Sequence, residues 1–329
     1  MRRFRRYGLV VGASLLLAAC DRRAPGLLQT GGTEARRVAR LFWIMFAMAA
    51  AVYVAVAGLI IVATLRGRRT ETGKPSRVKD EAFVWVGGLV VPVAILAVLA
   101  VLTVSTTNQV RRPVAGALSV EVVGKRWWWA VTYPGTGVTT ANEIHVPVGR
   151  QVRIGLDSDN VIHSFWVPQV AGKLDTVPGQ HNELRLTVTK AGTYRGECAE
   201  FCGLQHANMN LVFVAQSEAD FERWLVRRRS AGTGASSDLT ERGLVAFERA
   251  PCAGCHTIRG TSAAGDLGPD LTDFGSRQTI GSGAVPNDTR HLTQWIVDSQ
   301  TIKPGNLMPP IELDPGEVAA IVAYLESLK

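Results

Sequence analysis

Acidic side chains are scarce in the first third of the sequence. Residues 1–112 carry 5 Asp and Glu against 17 Lys and Arg, whereas residues 113–237 carry 11 against 12 and residues 238–329 carry 12 against 7. The net charge of +8 is therefore concentrated beside the apolar segments near the N-terminus, and the C-terminal part is acidic. This distribution is typical of membrane-flanking segments and does not indicate binding to nucleic acid.

Cysteine is also scarce, with 5 in 329 residues. Cys20 follows an apolar run, Cys198 and Cys202 share one short motif, and Cys252 and Cys255 share another. If each has the role argued below, no pair is left for a structural disulfide, although an oxidising compartment would permit one.

Residues 1–20 predict a secretory signal peptide. Arginines precede an apolar run over residues 9–19, which is too short to span a bilayer. Residues 17–20, LAAC, resemble a bacterial lipoprotein box, which predicts cleavage before Cys20 and acylation of its thiol. The alternative is an ordinary signal peptide that happens to contain a cysteine. In either case the mature chain begins outside.

Two apolar segments predict a transmembrane hairpin over residues 38–110. Residues 41–65 and 82–110 carry no charge, and at about 1.5 Å per residue each can cross about 30 Å of hydrocarbon. We expect helices over about 41–65 and 82–107, with Pro92 kinking the second unless neighbouring helices compensate. Basic residues flank both ends of the first segment, so charge barely decides the orientation, and the signal peptide places the turn inside.

Residues 113–225 predict an all-β domain. Short runs rich in β-branched residues, such as LSVEVVG and NELRLTVT, are separated by Gly, Pro, Asn and Asp. In the second run Leu184, Leu186 and Val188 fall on one face and polar side chains on the other. A Greek-key sandwich of the cupredoxin kind suits this spacing.

The motif CAEFCGLQHANM, from Cys198 to Met209, combines two thiols, an imidazole and a thioether. Soft sulfur with imidazole favours copper, and His163, on a neighbouring loop of a sandwich, is a further candidate ligand. Two thiolates on one loop can each bridge two coppers, which predicts a one-electron relay. Zinc is the alternative, because Cys198, Cys202, His206 and His163 also form a tetrahedral set.

A second motif, PCAGCH, predicts a covalent haem. Cys252 and Cys255 match the thioether positions of c-type haem and His256 the iron ligand, although the same spacing occurs in redox dithiols and zinc sites. GPDL at 268–271, GNLMPP at 305–310 and an amphipathic end resemble small cytochromes c. Met308 is the natural sixth ligand, and His291 is its competitor. Residues 226–237 predict a flexible linker, with the haem domain over 238–329.

The copper motif closely resembles that of subunit II of haem-copper cytochrome oxidases, as do KRWWWAVTY at 125–133 and KLDTVPGQHNEL at 173–184. The resemblance covers roughly residues 40–225. It implies a dinuclear CuA centre whose ligands are His163, Cys198, the backbone carbonyl of Glu200, Cys202, His206 and Met209.

The resemblance implies further roles for three residues. Trp127 corresponds to an electron-entry contact, with packing as the alternative. The carboxylate of Glu200 corresponds to a magnesium ligand at the border with subunit I. Glu81 lies near the mouth of a proton channel in relatives, with an interfacial carboxylate as the alternative, and its spacing to Trp85 departs from the family pattern.

Together these features predict a multidomain membrane protein with a two-helix transmembrane hairpin, an all-β cupredoxin sandwich and an all-α class I cytochrome c domain. They resemble the oxidase subunits II that carry a fused cytochrome. That resemblance implies electron delivery from an external cytochrome c or a quinol-cytochrome c reductase, through haem c and copper, to an oxygen-reducing subunit I. Subunit III and membrane lipids are further expected partners, and the bacterial inner membrane is the expected location, with copper and haem domains on the periplasmic face.

Of three other functions, the first two remain as alternatives. A nitrous oxide reductase, which pairs CuA with another copper cluster, would leave the membrane segments unexplained, and the sequence has no His-rich second cluster. A membrane-tethered copper carrier or sensor would not need a haem with His and Met ligands. A quinol oxidase subunit would lack the copper ligands, which are intact here.

Overall fold

The computed structural model describes residues 26, 28–67, 80–110, 112, 115–229 and 234–329. The predicted signal peptide and Cys20 lie outside these residues. Within them, two N-terminal helices are followed by a β-sandwich and a C-terminal helical domain, which confirms the predicted fold class.

The two apolar helices are long enough to cross a membrane, over Thr33–Arg66 and Glu81–Val110. Helix α1 spans Thr33–Gly67. The second apolar helix consists of α2, Asp80–Trp85, a π-helical turn, Val86–Val90, and α3, Val91–Val110. The π-helical turn directly precedes Pro92, whose ring and missing N–H are incompatible with regular α-helical bonding. The second apolar helix thus changes helix type just before Pro92.

Helix α1 begins well before the expected start near residue 41, because its first turns pack on the β-sandwich. The buried carboxylate of Glu34 accepts a hydrogen bond from the backbone N–H of Thr187 at 2.8 Å. Arg36 donates to the hydroxyl of Thr189 at 2.8 Å. At the same end of the helix pair, Arg37 donates to the carbonyl of Gln109, the penultimate residue of α3, at 3.1 Å. These bonds tie both membrane helices to each other and to the outer domain.

The sandwich consists of two five-stranded sheets, ordered β3-β2-β1-β5-β8 and β4-β10-β9-β6-β7. The β1–β5 and β4–β10 pairs are parallel and the remaining pairs are antiparallel. The strands are β1 Leu118–Lys125, β2 Trp128–Tyr133, β3 Val138–Ala141, β4 Glu143–Pro147, β5 Gln151–Ser158, β6 His163–Trp166, β7 Leu174–Thr176, β8 Asn182–Thr187, β9 Gly192–Cys198 and β10 Asn210–Gln216.

Alternation of side chains places the sandwich core between the sheets. Every second residue of β1 is buried, and Trp129, Phe165 and Phe213 are fully enclosed. Helix α4, Glu218–Arg229, closes one end with Phe221, Trp224 and Leu225. Residues 226–229, which the sequence placed in a linker, are thus the last turn of this helix.

The C-terminal domain packs five helices around one core. These are α5 Asp238–Arg249, α6 Cys252–Cys255, α7 Thr289–Val297, α8 Ser299–Ile302 and α9 Pro315–Ser327, with a short hairpin of β11 Thr279–Ile280 and β12 Val285–Pro286. Helices α5 and α9 cross closely at Gly243, where an added Cβ would lie 2.1 Å from the carbonyl oxygen of Ala320. Phe247 and Tyr324 pack beside this crossing at 6.2 Å.

The sandwich and the helical domain contact each other directly. The backbone N–H of Asn210 donates to the carbonyl of Ser282 at 2.9 Å, and the Ser282 hydroxyl returns a bond to the Asn210 carbonyl at 2.6 Å. The backbone N–H of Gln278 donates to the carboxylate of Glu143 at 3.1 Å. These bonds connect β10 and β4 of the sandwich with the hairpin of the helical domain.

A buried charge cluster lies at the same interface. Asp273, from the helical domain, lies 3.3 Å from Arg228 of α4 and forms a second ion pair with Arg277. The hydroxyl of Thr140 on β3 donates to it at 2.9 Å. Burial raises the pKa of Asp273, but Arg277 and Arg228 outweigh burial and hold it below its ordinary value of 3.8.

Candidate copper and haem centres

The predicted copper ligands converge at one end of the sandwich. Pairing of β6 with β9, in which Phe165 lies opposite Cys198, brings the start of β6 beside the end of β9. His163 Nδ1 then lies 3.9 Å from Cys198 Sγ. The loop after β9 turns back toward β10 and carries the other candidate ligands with it.

Within that loop the sulfur atoms lie close together. Cys198 Sγ and Cys202 Sγ are 3.8 Å apart, and Cys202 Sγ lies 3.7 Å from His206 Nδ1 and 3.9 Å from Met209 Sδ. The carbonyl oxygen of Glu200 lies 3.2 Å from Cys198 Sγ. All six predicted ligand positions thus surround one compact space.

The two thiols share their protons unequally. Hydrogen bonding from Cys202, then from His163, lowers the pKa of Cys198 to about 3 against the opposing effect of burial. The hydrogen bond with Cys198, together with burial, raises the pKa of Cys202. One thiolate is therefore available to a metal at neutral pH, and binding of a metal must displace the proton of the other.

The donor set fits copper. Two thiolates, two imidazoles and a thioether are the soft and borderline donors that copper prefers. Met209 is fully buried and Cys198 and Cys202 are nearly so, which excludes water from the sulfur atoms. Among the described residues, His163, Cys198 and Cys202 bring their ligand atoms within 4.8 Å of one another.

Three residues that the sequence did not identify support the copper ligands. Asn160 Oδ1 lies 3.3 Å from His163 Nε2, so the ring can turn Nδ1 toward the sulfurs while its other nitrogen is held. Trp129 packs edge-on against the His163 ring at 5.9 Å. Lys303, from the helical domain, reaches the back of the copper loop. None of these three residues lies within the copper motif, so the motif could not predict their roles.

Trp127 packs directly on the copper loop. Its side chain is buried, and its Nε1 donates to the carbonyl of Cys202 at 2.9 Å. Gly203, with φ of +110°, passes against the indole ring, where an added Cβ would lie 3.2 Å away. The structure thus places Trp127 beside the copper ligands, and its role in electron entry remains a prediction.

Glu200 and Glu81 have few partners. The Glu200 carboxylate is half-exposed and lies 4.0 Å from Lys173 Nζ. In the described parts of the chain it belongs to no group of three metal-ligating side chains. Glu81 is exposed in the first turn of α2, as is Trp85 at its end. The magnesium and proton-channel roles therefore remain predictions.

The predicted haem ligands lie on α6 and the loops around it. Cys252 and Cys255 are the first and last residues of the single-turn helix α6, and His256 follows directly after it. The carbonyl of Pro269 accepts a hydrogen bond from His256 Nδ1 at 2.8 Å, which leaves Nε2 free to bind iron. Burial lowers the pKa of His256, so its neutral, ligating form predominates at neutral pH.

Met308 lies on the loop after α8, and its backbone is held in place. Its N–H donates to Asn306 Oδ1 at 2.9 Å, and its carbonyl accepts from Ser299 at 3.4 Å and Gln300 at 3.3 Å. His291, its competitor, is instead paired with Asp288 in the first turn of α7 at 2.7 Å. Two thiols, an oriented imidazole and a methionine whose backbone is held fit a c-type haem.

The two remaining histidines have structural partners. His145 stacks on Trp224 at 4.4 Å and bonds Glu143 at 2.7 Å. His181 bonds Asp157 at 3.0 Å and, with Glu121, forms a second group of potential metal ligands. Arg153 already neutralises Glu121 at 3.1 Å, so this group is explained as an ion-pair network.

Known protein families match the same two outer domains. Residues 136–216 match the model described as cytochrome c oxidase subunit II, periplasmic domain, and residues 240–329 match the cytochrome c model. Cytochrome c oxidase subunit 2 of Alkalihalophilus pseudofirmus is 33% identical over 277 residues, covering 82% of this chain and 80% of the relative. The chain belongs to the cytochrome c oxidase subunit 2 family.

Other members of the subunit 2 family are similarly related. The Bacillus subtilis protein of that name is 31% identical over 290 residues, covering 82% of this chain and 81% of the relative. A crystal structure of the periplasmic domain of subunit II from Bradyrhizobium japonicum is 29% identical, covers 36% of this chain and 96% of its own, and has a TM-score of 0.34.

Membership confirms the family resemblance drawn from the copper motif. A subunit 2 chain with a cytochrome c domain is an electron-transfer subunit of an oxidase, binds copper and haem, and associates with subunit I. Its two apolar helices anchor it in a membrane, with the sandwich facing outward.

Proposed function

We propose that this subunit passes electrons one at a time from an external donor, through a covalent haem c and a dinuclear copper centre, to subunit I, where oxygen is reduced to water. Contact between the two ligand loops supports this route most directly. Gly305, on the loop that leads to Met308, packs against Leu204, which lies between Cys202 and His206. A Cβ added to Gly305 would lie 2.3 Å from Leu204 Cδ2.

In this proposal the copper loop supplies the ligands that the sequence predicted. Cys198, Cys202, His163, His206, Met209 and the backbone carbonyl of Glu200 would hold the copper, with the thiolates, imidazoles and thioether supplying soft and borderline donors. His256 and Met308 bind the haem iron, a combination that raises the reduction potential. When bound, the copper pair and the haem each accept and release a single electron.

The protein's own part in the transfer is to hold these ligands still. The indole N–H of Trp127 fixes the Cys202 carbonyl, Trp129 fixes the His163 ring, and Met209 is enclosed by the sandwich core. Because the ligands are held by buried groups, little rearrangement accompanies a change of charge at the site. Electron entry beside Trp127 is part of the same proposal.

The proposal extends to partners and location. The external donor is a cytochrome c or a quinol-cytochrome c reductase, subunit III completes the complex, and the membrane is the bacterial inner membrane. The Glu200 carboxylate binds magnesium at the subunit I border, and Glu81 lies at a proton-channel mouth. Acylation of Cys20 adds a lipid anchor.

Metal analysis and flash reduction of the full chain test the route. The chain in detergent is expected to hold two coppers and one covalent haem, with an EPR spectrum of one electron shared between two coppers. After photoreduction the haem is expected to reoxidise as the copper centre is reduced.

The variant Cys202→Ser provides the control for this experiment. It is expected to keep the haem spectrum and to lose both the shared-electron spectrum and the fast haem reoxidation. A single copper, zinc in its place, or haem reoxidation that is equally fast in the variant contradicts the proposal.

A further inference from the structure

Lys303 is a buried lysine that joins the two metal-binding domains. It follows α8 in the haem domain, and only 3% of its surface is exposed. Its Nζ donates to three backbone carbonyls, those of Trp127, Asn208 and Gly281, each at 2.8 Å. Two of these acceptors belong to the copper domain and one to the haem domain.

The three carbonyls match the three N–H donors of an ammonium group. A buried ammonium is costly unless its hydrogen bonds are satisfied, and in the described part of the chain no carboxylate lies within ion-pair distance of Lys303. Burial lowers the pKa of Lys303 to about 7, and the nearby Cys202 opposes that shift. The side chain therefore lies in a site built from carbonyl oxygens of both domains.

Both copper-domain acceptors belong to segments that hold the copper ligands. Trp127 bonds the carbonyl of Cys202. Asn208 lies in the turn between His206 and Met209, where its own N–H bonds the Gln205 carbonyl at 3.0 Å. The amine thus contacts the copper loop from behind without touching a metal ligand.

From Lys303 a short relay of hydrogen bonds leads to the haem ligand loop. The Lys303 carbonyl accepts from Asn306 Nδ2 at 2.8 Å, and Asn306 Oδ1 accepts from the N–H of Met308 at 2.9 Å. The next residue, Pro304, accepts a bond from Gln205 of the copper loop through its carbonyl. One residue therefore links the backbone of the copper loop to the backbone of Met308.

We infer that Lys303 is a positioning residue that holds the Met308 loop against the copper ligand loop and so fixes the path of electron transfer between haem and copper. The inference rests on the proposed function. It implies that the haem domain transfers its electron from one fixed position on the copper domain and does not move on its linker between transfers.

Interdomain contacts that lie away from the ligand loops separate this role from domain attachment in general. The Asp273 cluster and the Gln278–Glu143 bond tie the haem domain to α4, β3 and β4, away from the ligand loops. Removal of the Lys303 amine leaves these contacts in place. We therefore expect loosening of the two ligand loops while the domains stay associated.

The test compares Lys303→Met with Lys190→Met in the full chain. Methionine removes the donors but keeps most of the length, and Lys190 is an exposed lysine of the copper domain. We expect Lys303→Met to slow haem-to-copper transfer roughly tenfold, which corresponds to about 1.4 kcal/mol. The copper EPR spectrum and the haem spectrum are expected to match those of the unaltered chain.

Hydrogen exchange in the metal-free chain gives a readout independent of electron transfer. In Lys303→Met, peptides covering 203–210 and 303–308 are expected to exchange faster, while strands β1 and β9 keep their protection. Lys190→Met is expected to change neither exchange nor rate. Equal exchange and equal rate in Lys303→Met and the unaltered chain would overturn the inference.

A second variant covers the case in which Lys303→Met fails to fold. Lys303→Gln keeps two N–H donors on a shorter side chain, and we expect an intermediate transfer rate. A rate equal to that of the unaltered chain overturns the inference. If the unaltered chain itself shows no electron transfer from haem to copper, the proposed function fails. If the unaltered chain transfers electrons and the Lys303 variants transfer them at the same rate, only the role of Lys303 is removed.

Discussion

At the scale of single residues, the copper ligands depend on neighbours that lie outside the ligand motif. His163 is the clearest case, because its Nδ1 faces the sulfur atoms while Asn160 holds Nε2 at 3.3 Å. Outer partners of this kind set the tautomer and orientation of a ligating imidazole. Asn160 is therefore part of the metal site although it binds no metal in our proposal.

Substitution Asn160→Ala is expected to weaken copper binding about 10- to 100-fold, as loss of such partners commonly does. Competition with a copper chelator, followed by EPR, measures the change. Asp159→Ala is the matched control, since this neighbouring side chain is exposed and, among the described residues, forms its ion pair with Lys125, at 3.4 Å. Equal affinity in the two variants would show that Asn160 does not orient His163.

The residue scale also shows how far sequence reading can reach. Cys198, Cys202, His206 and Met209 fall within one motif, so their spacing alone predicted a shared site. Lys303 could not be predicted, because its acceptor Trp127 is 176 positions away along the chain. A lone lysine after a short helix carries no signal until the tertiary structure brings carbonyl groups around it.

At the scale of helices and strands, close approach of α5 and α9 organises the haem domain. Gly243 allows the two helices to touch, since an added Cβ would lie 2.1 Å from the carbonyl of Ala320 and 2.6 Å from Tyr324 Cβ. The obstructing atoms include backbone, so a side chain at this position must push the helices apart. The amphipathic C-terminal helix was predicted from its sequence, but its partner was not.

Substitution Gly243→Ala is expected to destabilise the haem domain by about 1–3 kcal/mol, the usual cost of overpacking. Denaturant unfolding followed through the haem absorbance measures the effect. Val245→Ala, on the exposed side of the same helix, is the control and is expected to change stability by less than about 0.5 kcal/mol. Similar losses of stability in both variants would mean that helices α5 and α9 can move apart at Gly243 without a specific cost.

The start of helix α1 differs from the prediction because the residues before its apolar segment pack on the β-sandwich. The charge-free stretch predicted α1 from about residue 41, but the helix begins at Thr33. Its first turn contains Glu34, which precedes the charge-free stretch. Only the structure shows that this carboxylate bonds the backbone of Thr187 and continues the helix.

At the scale of the whole molecule, the outer domains form one interface with a charged centre. Asp273 is enclosed by Arg228, Arg277 and Thr140, which come from both domains. Sequence analysis predicted a tether and left open where the haem domain lies. The reason is physical, because the interface joins residues from distant segments and has no local pattern.

Substitution Asp273→Asn leaves two buried arginines without a counter-charge and is expected to cost about 3–5 kcal/mol. Scanning calorimetry of the full chain is expected to show the two outer domains unfolding together in the unaltered chain and separately in the variant. Asp238→Asn, at an exposed site, is the control. Joint unfolding in Asp273→Asn at an unchanged temperature contradicts the expectation.

The same carboxylate gives the interface a defined pH dependence. Because the pKa of Asp273 is lowered in the folded chain, its contribution is complete above the ordinary value of 3.8 and is lost as pH falls through the lower, folded-state pKa. The stability difference between the unaltered chain and Asp273→Asn should therefore shrink in strong acid and stay constant near neutrality.

The early start of α1 has a mechanical consequence. Helix α1 continues without interruption from the membrane segment to the β-sandwich. Hydrogen bonds between Glu34 and Thr187 and between Arg36 and Thr189 fix its first turn to the sandwich. A continuous helix, and not a flexible linker, therefore connects the metal-binding domain to the membrane segment. The position of the β-sandwich relative to this membrane helix is thus set within the chain itself.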